Sequence, residues 1–328
     1  MPPPVRTRLL VALAAALSAA LVVGVTVLQA DGGESAEEPS GTASEAPPLE
    51  LGLGIRDDAL ARELRAAERM FDRGQRAAAR ARFDEIVAEH PGSVDAAVAA
   101  AVAAWPDGTV ERLEELAEEH PASGVVRLHL GLALFAAGED EAAAREWRAA
   151  EERDPDTLTA LRAEDLLHPR MAPGRPPFVA QIAPPSGLRE LSPARQLAEL
   201  ERRAQNGEAQ DWVLLGIVLQ RVGRPVSAEK AFARAAELAP RDLGVRVAAA
   251  VGRFDKDDPA QTFSRLGPLA DEDPGAGVVR YHLGLALSWI GAVDEAKRQL
   301  RLASEEAAGS FYGREAKRLL SRLEAVGP

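Results

Sequence analysis

The 328-residue chain contains no cysteine, and aromatic residues make up only 4% of it. Without thiols there is no disulfide, no thiolate nucleophile and no cysteine-ligated zinc site, and either redox compartment suits the chain. With so few aromatics, the core has to be assembled from alanine, leucine and valine. That favours closely packed helices over sandwiches or barrels, whose strands use β-branched and aromatic residues. Positive charge is also short: 39 Lys and Arg stand against 51 Asp and Glu, a formal net charge of −12. Nucleic acid is therefore not an expected partner, because phosphate contacts need a basic face. The glycines form neither GxGxxG nor GxxxxGK[ST], and no serine has a histidine at a suitable spacing. Acidic clusters such as Glu111-Arg112-Leu113-Glu114-Glu115 carry interleaved arginine and read as solvated helix faces. These absences predict no catalytic residues, no metal site, no cofactor and no small-molecule substrate.

From Leu9 to Ala30 runs LLVALAAALSAALVVGVTVLQA, 22 residues without a charge. As a helix this spans about 33 Å at about 1.5 Å per residue, against a hydrocarbon core of about 30 Å. It predicts a transmembrane signal-anchor over 9–30 behind a cytoplasmic stub, 1–8, that carries Arg6 and Arg8. Asp31, Glu34, Glu37 and Glu38 follow the run, so the positive-inside bias puts the N-terminus in the cytoplasm and the rest outside a cell membrane crossed once. The alternative is a cleaved signal peptide and a secreted chain. The run is longer than the usual apolar region of about 7–15 residues, and Leu28-Gln29-Ala30 places a large residue three before the cut. Residues 31–57, rich in Gly, Ser, Glu and Pro, read as an acidic flexible linker.

The remainder is duplicated. GVVRLHLGLAL at Gly124–Leu134 recurs as GVVRYHLGLAL at Gly277–Leu287, and at the same offset of 153 the segment His120–Leu167 matches Asp273–Leu320 at 20 of 48 positions. Upstream the offset is 149, pairing Gly74 with Gly223, Phe83 with Phe232 and Pro91 with Pro240, so four residues differ between the halves near Trp105–Thr109 and Phe254–Asp258. A shorter period runs inside each half: Pro121 to Pro155 and Pro240 to Pro274 are each 34 residues.

In Ala209–Asp242 the positions Trp212, Leu215, Gly216, Leu219, Gly223, Ala228, Phe232, Ala235 and Pro240 follow the tetratricopeptide pattern, and Gly124–Thr157 repeats it with Leu130, Gly131, Leu134, Gly138, Ala143, Trp147, Ala150 and Pro155. From about residue 58 the chain resembles the tetratricopeptide repeat (TPR) family, whose small residues let paired helices approach while larger ones fill the gaps between pairs. The resemblance implies an all-α solenoid of two arrays, 58–167 and 193–325, each of about three helix pairs with a capping helix. Between them lies a proline-rich linker, 168–192. It is expected to be extended and to break the stack, either hanging free or packing along a repeat surface through residues such as Phe178 and Ile182.

The resemblance also implies a concave groove lined by the first helix of each pair, and a protein or peptide partner bound in it. Carried over by position, the groove-facing candidates are Phe71, Leu128, Leu132 and Phe135 in the first array, with Val213, Ile217, Gln220, Tyr281, Leu285 and Trp289 in the second. Exposure at Phe135 or Trp289 would mark a partner site. His129 and His282 stand where the family often places an asparagine that bonds a bound chain. They would do the same with pH sensitivity, or would simply satisfy a neighbouring helix. As metal ligands they lack a second ligand at suitable spacing. The function this implies is a membrane-anchored, extracytoplasmic scaffold for protein interaction or complex assembly. Alternatives are an assembly factor similar to those of cytochrome c maturation and, in another class, an enzyme with a repeat-built groove.

Overall fold

The computed structural model of the chain describes residues 46–325. The stub, the 9–30 run and the linker up to residue 45 lie outside the described residues, among which no helix is long and apolar enough to cross a membrane. The described part is all-α, a helical-repeat solenoid of fifteen α-helices and one 3-10 turn. The first array pairs α1 (Ala59–Asp72) with α2 (Arg76–Glu89), α3 (Val94–Ala103) with α4 (Thr109–Glu119) and α5 (Gly124–Ala136) with α6 (Asp140–Arg153), and ends on α7 (Leu158–Leu167). After the linker an additional helix, α8 (Pro193–Asn206), precedes the second array. There α9 (Ala209–Arg221) pairs with α10 (Pro225–Leu238), α11 (Leu243–Gly252) with α12 (Ala260–Glu272) and α13 (Gly277–Trp289) with α14 (Val293–Glu306), before the terminal α15 (Phe311–Ala325).

Local signals start the helices where the period demands. The side chains of Asp58, Ser93, Thr157 and Asp242 each accept the N–H three residues on, satisfying a donor that a helix N-terminus otherwise leaves open. Pro193 and Pro225 occupy first positions of α8 and α10, where the missing N–H costs nothing. The helices of a pair close on small residues. A Cβ on Gly216 would lie 2.6 Å from Phe232 Cδ1, and one on Gly252 would lie 2.7 Å from Phe232 Cδ2. The fully buried Phe232 ring therefore fills the space inside its own pair as well as that towards α11. Gly216→Ala should cost about 1–3 kcal/mol by overpacking, more than the roughly 1 kcal/mol gained in helix propensity; urea unfolding would show a lower midpoint at unchanged slope.

Two segments expected to be loose are packed. The composition of residues 46–57 suggests the end of the flexible linker, yet Leu49, Leu51 and Leu53 are 3–7% exposed and join the core of α1–α5. Charge and glycine around those leucines masked a period-two pattern of burial. The proline-rich linker is extended as expected but lies along the second array: Phe178 and Leu188 belong to its core, with Ala180, Ile182 and Leu191 packed against it.

The halves meet through turns and polar side chains. Gly223, in the left-handed region at φ 75° in the α9–α10 turn, sits against Leu158 at the start of α7. Asp156 accepts Ser227 N–H at 2.8 Å, Ser227 Oγ–H at 2.6 Å and Arg224 Nε–H at 3.0 Å. The α11–α12 loop, where the second half carries its four further residues, sends the fully buried Lys256 side chain onto Asp165 of α7. Beside it the buried Glu164 accepts Arg175 Nε–H at 3.0 Å and the Lys256 backbone N–H at 3.4 Å. Burial, and then the nearby carboxylates of Glu164, Asp257 and Asp255, raise the half-buried Glu151 to a pKa of about 7.

Candidate functional site

Each array holds an extended piece of its own chain in its groove. In the first, residues 47–53 run with Pro47, Leu49, Leu51 and Leu53 buried and Pro48 and Gly52 exposed, the alternation of an extended backbone. Glu50 N–H donates to His129 Nε2 at 3.0 Å and Leu51 N–H to Glu68 Oε1 at 3.1 Å. Arg65 Nη2 donates to the carbonyl of Gly54 at 2.8 Å, and Arg162 pairs with Glu50 at 2.9 Å. In the second array Val179 N–H donates to His282 Nε2 at 3.0 Å and Phe178 N–H to Gln220 Oε1 at 2.9 Å. The Phe178 ring stacks on His282 at 4.8 Å and meets Phe232 edge-on at 5.7 Å. Both straps run from the third pair of their array back to the first.

The two straps are themselves a repeat. Pro47-Pro48-Leu49-Glu50-Leu51-Gly52-Leu53 corresponds to Pro176-Pro177-Phe178-Val179-Ala180-Gln181-Ile182 at an offset of 129, and the two histidines meet equivalent residues, Glu50 and Val179. The arrays are offset by 149 at their start, and the 20 further residues lie between strap and array in the second half, where they include α8. The duplicated unit is thus strap, three helix pairs and terminal helix.

The partners dictate the histidine tautomer. His129 Nδ1 lies 2.7 Å from the carbonyl of Val125, and His282 Nδ1 2.7 Å from that of Val278. A carbonyl only accepts and an amide N–H only donates, so each ring is neutral with its hydrogen on Nδ1 and its lone pair on the strap. Burial depresses both to a pKa of about 4, against the weaker opposing pull of the carbonyl. A second proton would set an imidazole N–H against the strap N–H. Glu68, beneath the first strap, is raised by burial and lowered less by the Leu51 N–H it accepts.

Of the twelve candidate residues, the structure leaves Phe135 exposed, at 55%, with its ring 5.7 Å from that of Trp147. Phe71 is covered by the first strap within one core, and Val213, Ile217 and Gln220 are covered by the second. Leu128 and Leu132 do not line an open groove; they pack with Trp147 and Ala163 between α5, α6 and α7. Tyr281, Leu285 and Trp289 form a core with Ala172, Phe254 and α15. Exposure at Trp289 would mark a partner site, but the residue is 2% exposed because the chain ahead of the second strap crosses it. Its Nε1–H donates to the carbonyl of Gly174 at 3.0 Å, and its own carbonyl accepts Ala172 N–H at 2.8 Å.

No family model and no curated protein matches the sequence. Among solved structures the chain is similar to YrrB, described as a TPR protein with an unusual peptide-binding site (18% identity, 64% of this chain and 99% of that one, TM-score 0.32). It is also similar to a tetratricopeptide repeat protein from Parabacteroides merdae (12% identity, 81% and 98%, TM-score 0.33) and to yeast Tom70 (12%, 94% and 69%, 0.31). All three TM-scores are low, and it is the helix pairing within this chain that defines its TPR-like fold.

Metal chemistry gains no built site from the described residues. Glu63, Glu89 and His90 bring ligand atoms within 4.8 Å of one another, but at the surface, and Glu63 already pairs with Arg82 at 3.0 Å. Sequence reasoning found the histidines and Gln220 but not what they bind. The signal was the repeated Pro-Pro, each time followed by alternating apolar residues. It also missed Lys256, whose loop differs in length between the halves.

Proposed function

We propose that the protein is a scaffold that binds other polypeptides, held at a membrane by residues 9–30 with both arrays on the extracytoplasmic side. The observation that carries the binding reading is that each groove holds extended polypeptide, with a histidine at the equivalent position accepting a backbone N–H. Main-chain recognition of this kind takes any segment that supplies the right alternation of side chains. Phe135 adds a large exposed aromatic against Trp147 on the third pair of the first array, the sort of anchor that protein interfaces use. The anchoring reading is supported by the 22 uncharged residues between Arg8 and Asp31.

A photocrosslinking amino acid at position 135 in intact cells should yield a protein adduct identifiable by mass spectrometry. At position 289 it should yield only crosslinks within the chain, to the segment around Gly174. No adduct at 135 would remove the scaffold reading. N-terminal sequencing of the native protein should begin ahead of Leu9, and a start at or after Asp31 would replace the anchor by a secreted chain.

A further inference from the structure

We propose that the first array's groove is an exchangeable site, in which an extended partner segment with apolar residues at every second position and an acidic residue between them replaces this chain's own residues 47–53. The inference rests on the scaffold reading and names the partner's chemistry. The strap itself defines that chemistry. Pro47, Leu49, Leu51 and Leu53 fill successive pockets, spaced about 6.6 Å apart along an extended chain. Glu50, between two of them, reaches Arg162 at 2.9 Å at the half-exposed rim. The hydrogen bonds to His129 and Glu68 engage backbone N–H groups and are indifferent to side-chain identity.

The two grooves differ in how their occupants are held. The second strap lies between α7 and α8, inside the fold. Ahead of it, Ala172 N–H bonds Trp289, Gly174 N–H bonds Asp165 at 2.7 Å and Arg175 pairs with Glu164 at 3.0 Å. Phe178 is wedged between His282 and Phe232. That strap cannot leave without opening the junction between the halves. The first strap precedes α1, and residues 31–45 contain no Leu, Ile, Val, Met, Phe, Trp or Tyr with which to extend its grip. Its departure uncovers Phe71 and His129 but breaks no helix pair. The tether keeps the strap at an effective concentration on the order of millimolar, so a partner competes against it and binds more weakly than it would to an empty groove.

The test uses the full chain in mild detergent and, as probe, a fluorescein-labelled peptide of residues 46–54, Ala-Pro-Pro-Leu-Glu-Leu-Gly-Leu-Gly. A variant with Leu49→Ser, Leu51→Ser and Leu53→Ser should bind it at least about tenfold more tightly than the unaltered protein. Adding His129→Ala should weaken that binding by roughly 5- to 150-fold, since the peptide N–H is left buried and unpaired. A scrambled peptide with its three leucines adjacent should not bind. Equal binding by the unaltered and triple-serine proteins, or of the scrambled peptide, overturns exchange.

If the triple variant loses its helical circular dichroism, a protease site inserted between Arg56 and Asp57 leaves the native strap in place to be cut. The labelled peptide should then displace it, and retention of the cut strap against saturating peptide overturns the proposal. A concentration-dependent dimer abolished by the peptide would assign the groove to the strap of a second copy and overturn a foreign partner. Failure of every peptide arm while position 135 still captures a protein removes exchange and leaves the scaffold standing.

Discussion

Acidification from pH 7 to 4.5 should cost the folded protein roughly 5 kcal/mol through His129 and His282 alone. Each imidazole has a pKa of about 4 in the fold and about 6.5 in an unfolded chain. Between those values the unfolded state carries the proton and the folded state does not. Stability therefore falls as the pH drops below about 6.5, by about 1.4 kcal/mol per unit for each ring, and stops falling below about 4. Two rings across two units give the figure. The groups around His129 are the Val125 carbonyl, the Glu50 N–H and, more distantly, Asp95, which favours the charged form. Around His282 are the Val278 carbonyl, the Val179 N–H and the rings of Phe178, Tyr281 and Tyr312. None of these provides a charge close enough to outweigh burial.

Glu151 works in the opposite direction. Its pKa is raised to about 7, so the folded state takes up that proton first and recovers part of the loss between pH 7 and 4.5. Because Glu151 is half-exposed, solvent screening keeps its share small. Urea midpoints at pH 7 and 4.5 measure the net effect. The double variant His129→Asn with His282→Asn keeps an acceptor and removes the titration, so its midpoint should be nearly the same at the two pH values. If the double variant keeps the full acid sensitivity, the histidines are not its origin.

The helix pairs were legible because their determinants are local or repeat at a fixed spacing. Gly216, Phe232 and Gly223 recur in kind at Gly131, Trp147 and Gly138, and each serves a contact inside one repeat or its neighbour. The straps obey neither condition. Leu49, Leu51 and Leu53 give too short an alternation to stand out among glycine, proline and glutamate, and the histidine that receives Glu50 lies 79 residues further on. For the same reason the sequence leaves open whether His129 and His282 bond a bound chain or a neighbouring helix, and in the structure each accepts an N–H of this chain's own strap. The cover over Trp289 is illegible in the sequence because it comes from Ala172 and Gly174, in a linker whose composition suggests solvent. Phe135 escapes such cover among the described residues, although its helix duplicates that of Trp289 almost residue for residue.

Lys256→Met should destabilise the protein by about 3–5 kcal/mol, because it leaves the Asp165 carboxylate without its cation in a largely buried site. The Lys256 side chain is 0% exposed and Asp165 14%. Glu164, alongside, retains Arg175 as its remaining cation. The loss should fall on the coupling between the arrays more than on either array, since Lys256 belongs to the second and its carboxylate partner to the first. Trp105 and Trp147 report from the first array and Trp212 and Trp289 from the second. Single-tryptophan versions of the unaltered protein should therefore unfold together, and those of Lys256→Met in two separated transitions.

Adding Asp165→Asn to Lys256→Met removes the stranded charge while keeping an acceptor for the Gly174 N–H that Asp165 holds at 2.7 Å. The pair should recover most of the lost stability, because a neutral polar group costs far less to bury than an unpaired carboxylate. If Asp165→Asn gives no recovery, the stranded charge is not the cause and the aliphatic stem of Lys256 is what holds the halves together. In that case Lys256→Met, which preserves most of the stem, should itself have cost little. The two measurements therefore distinguish a junction held by charge from one held by packing.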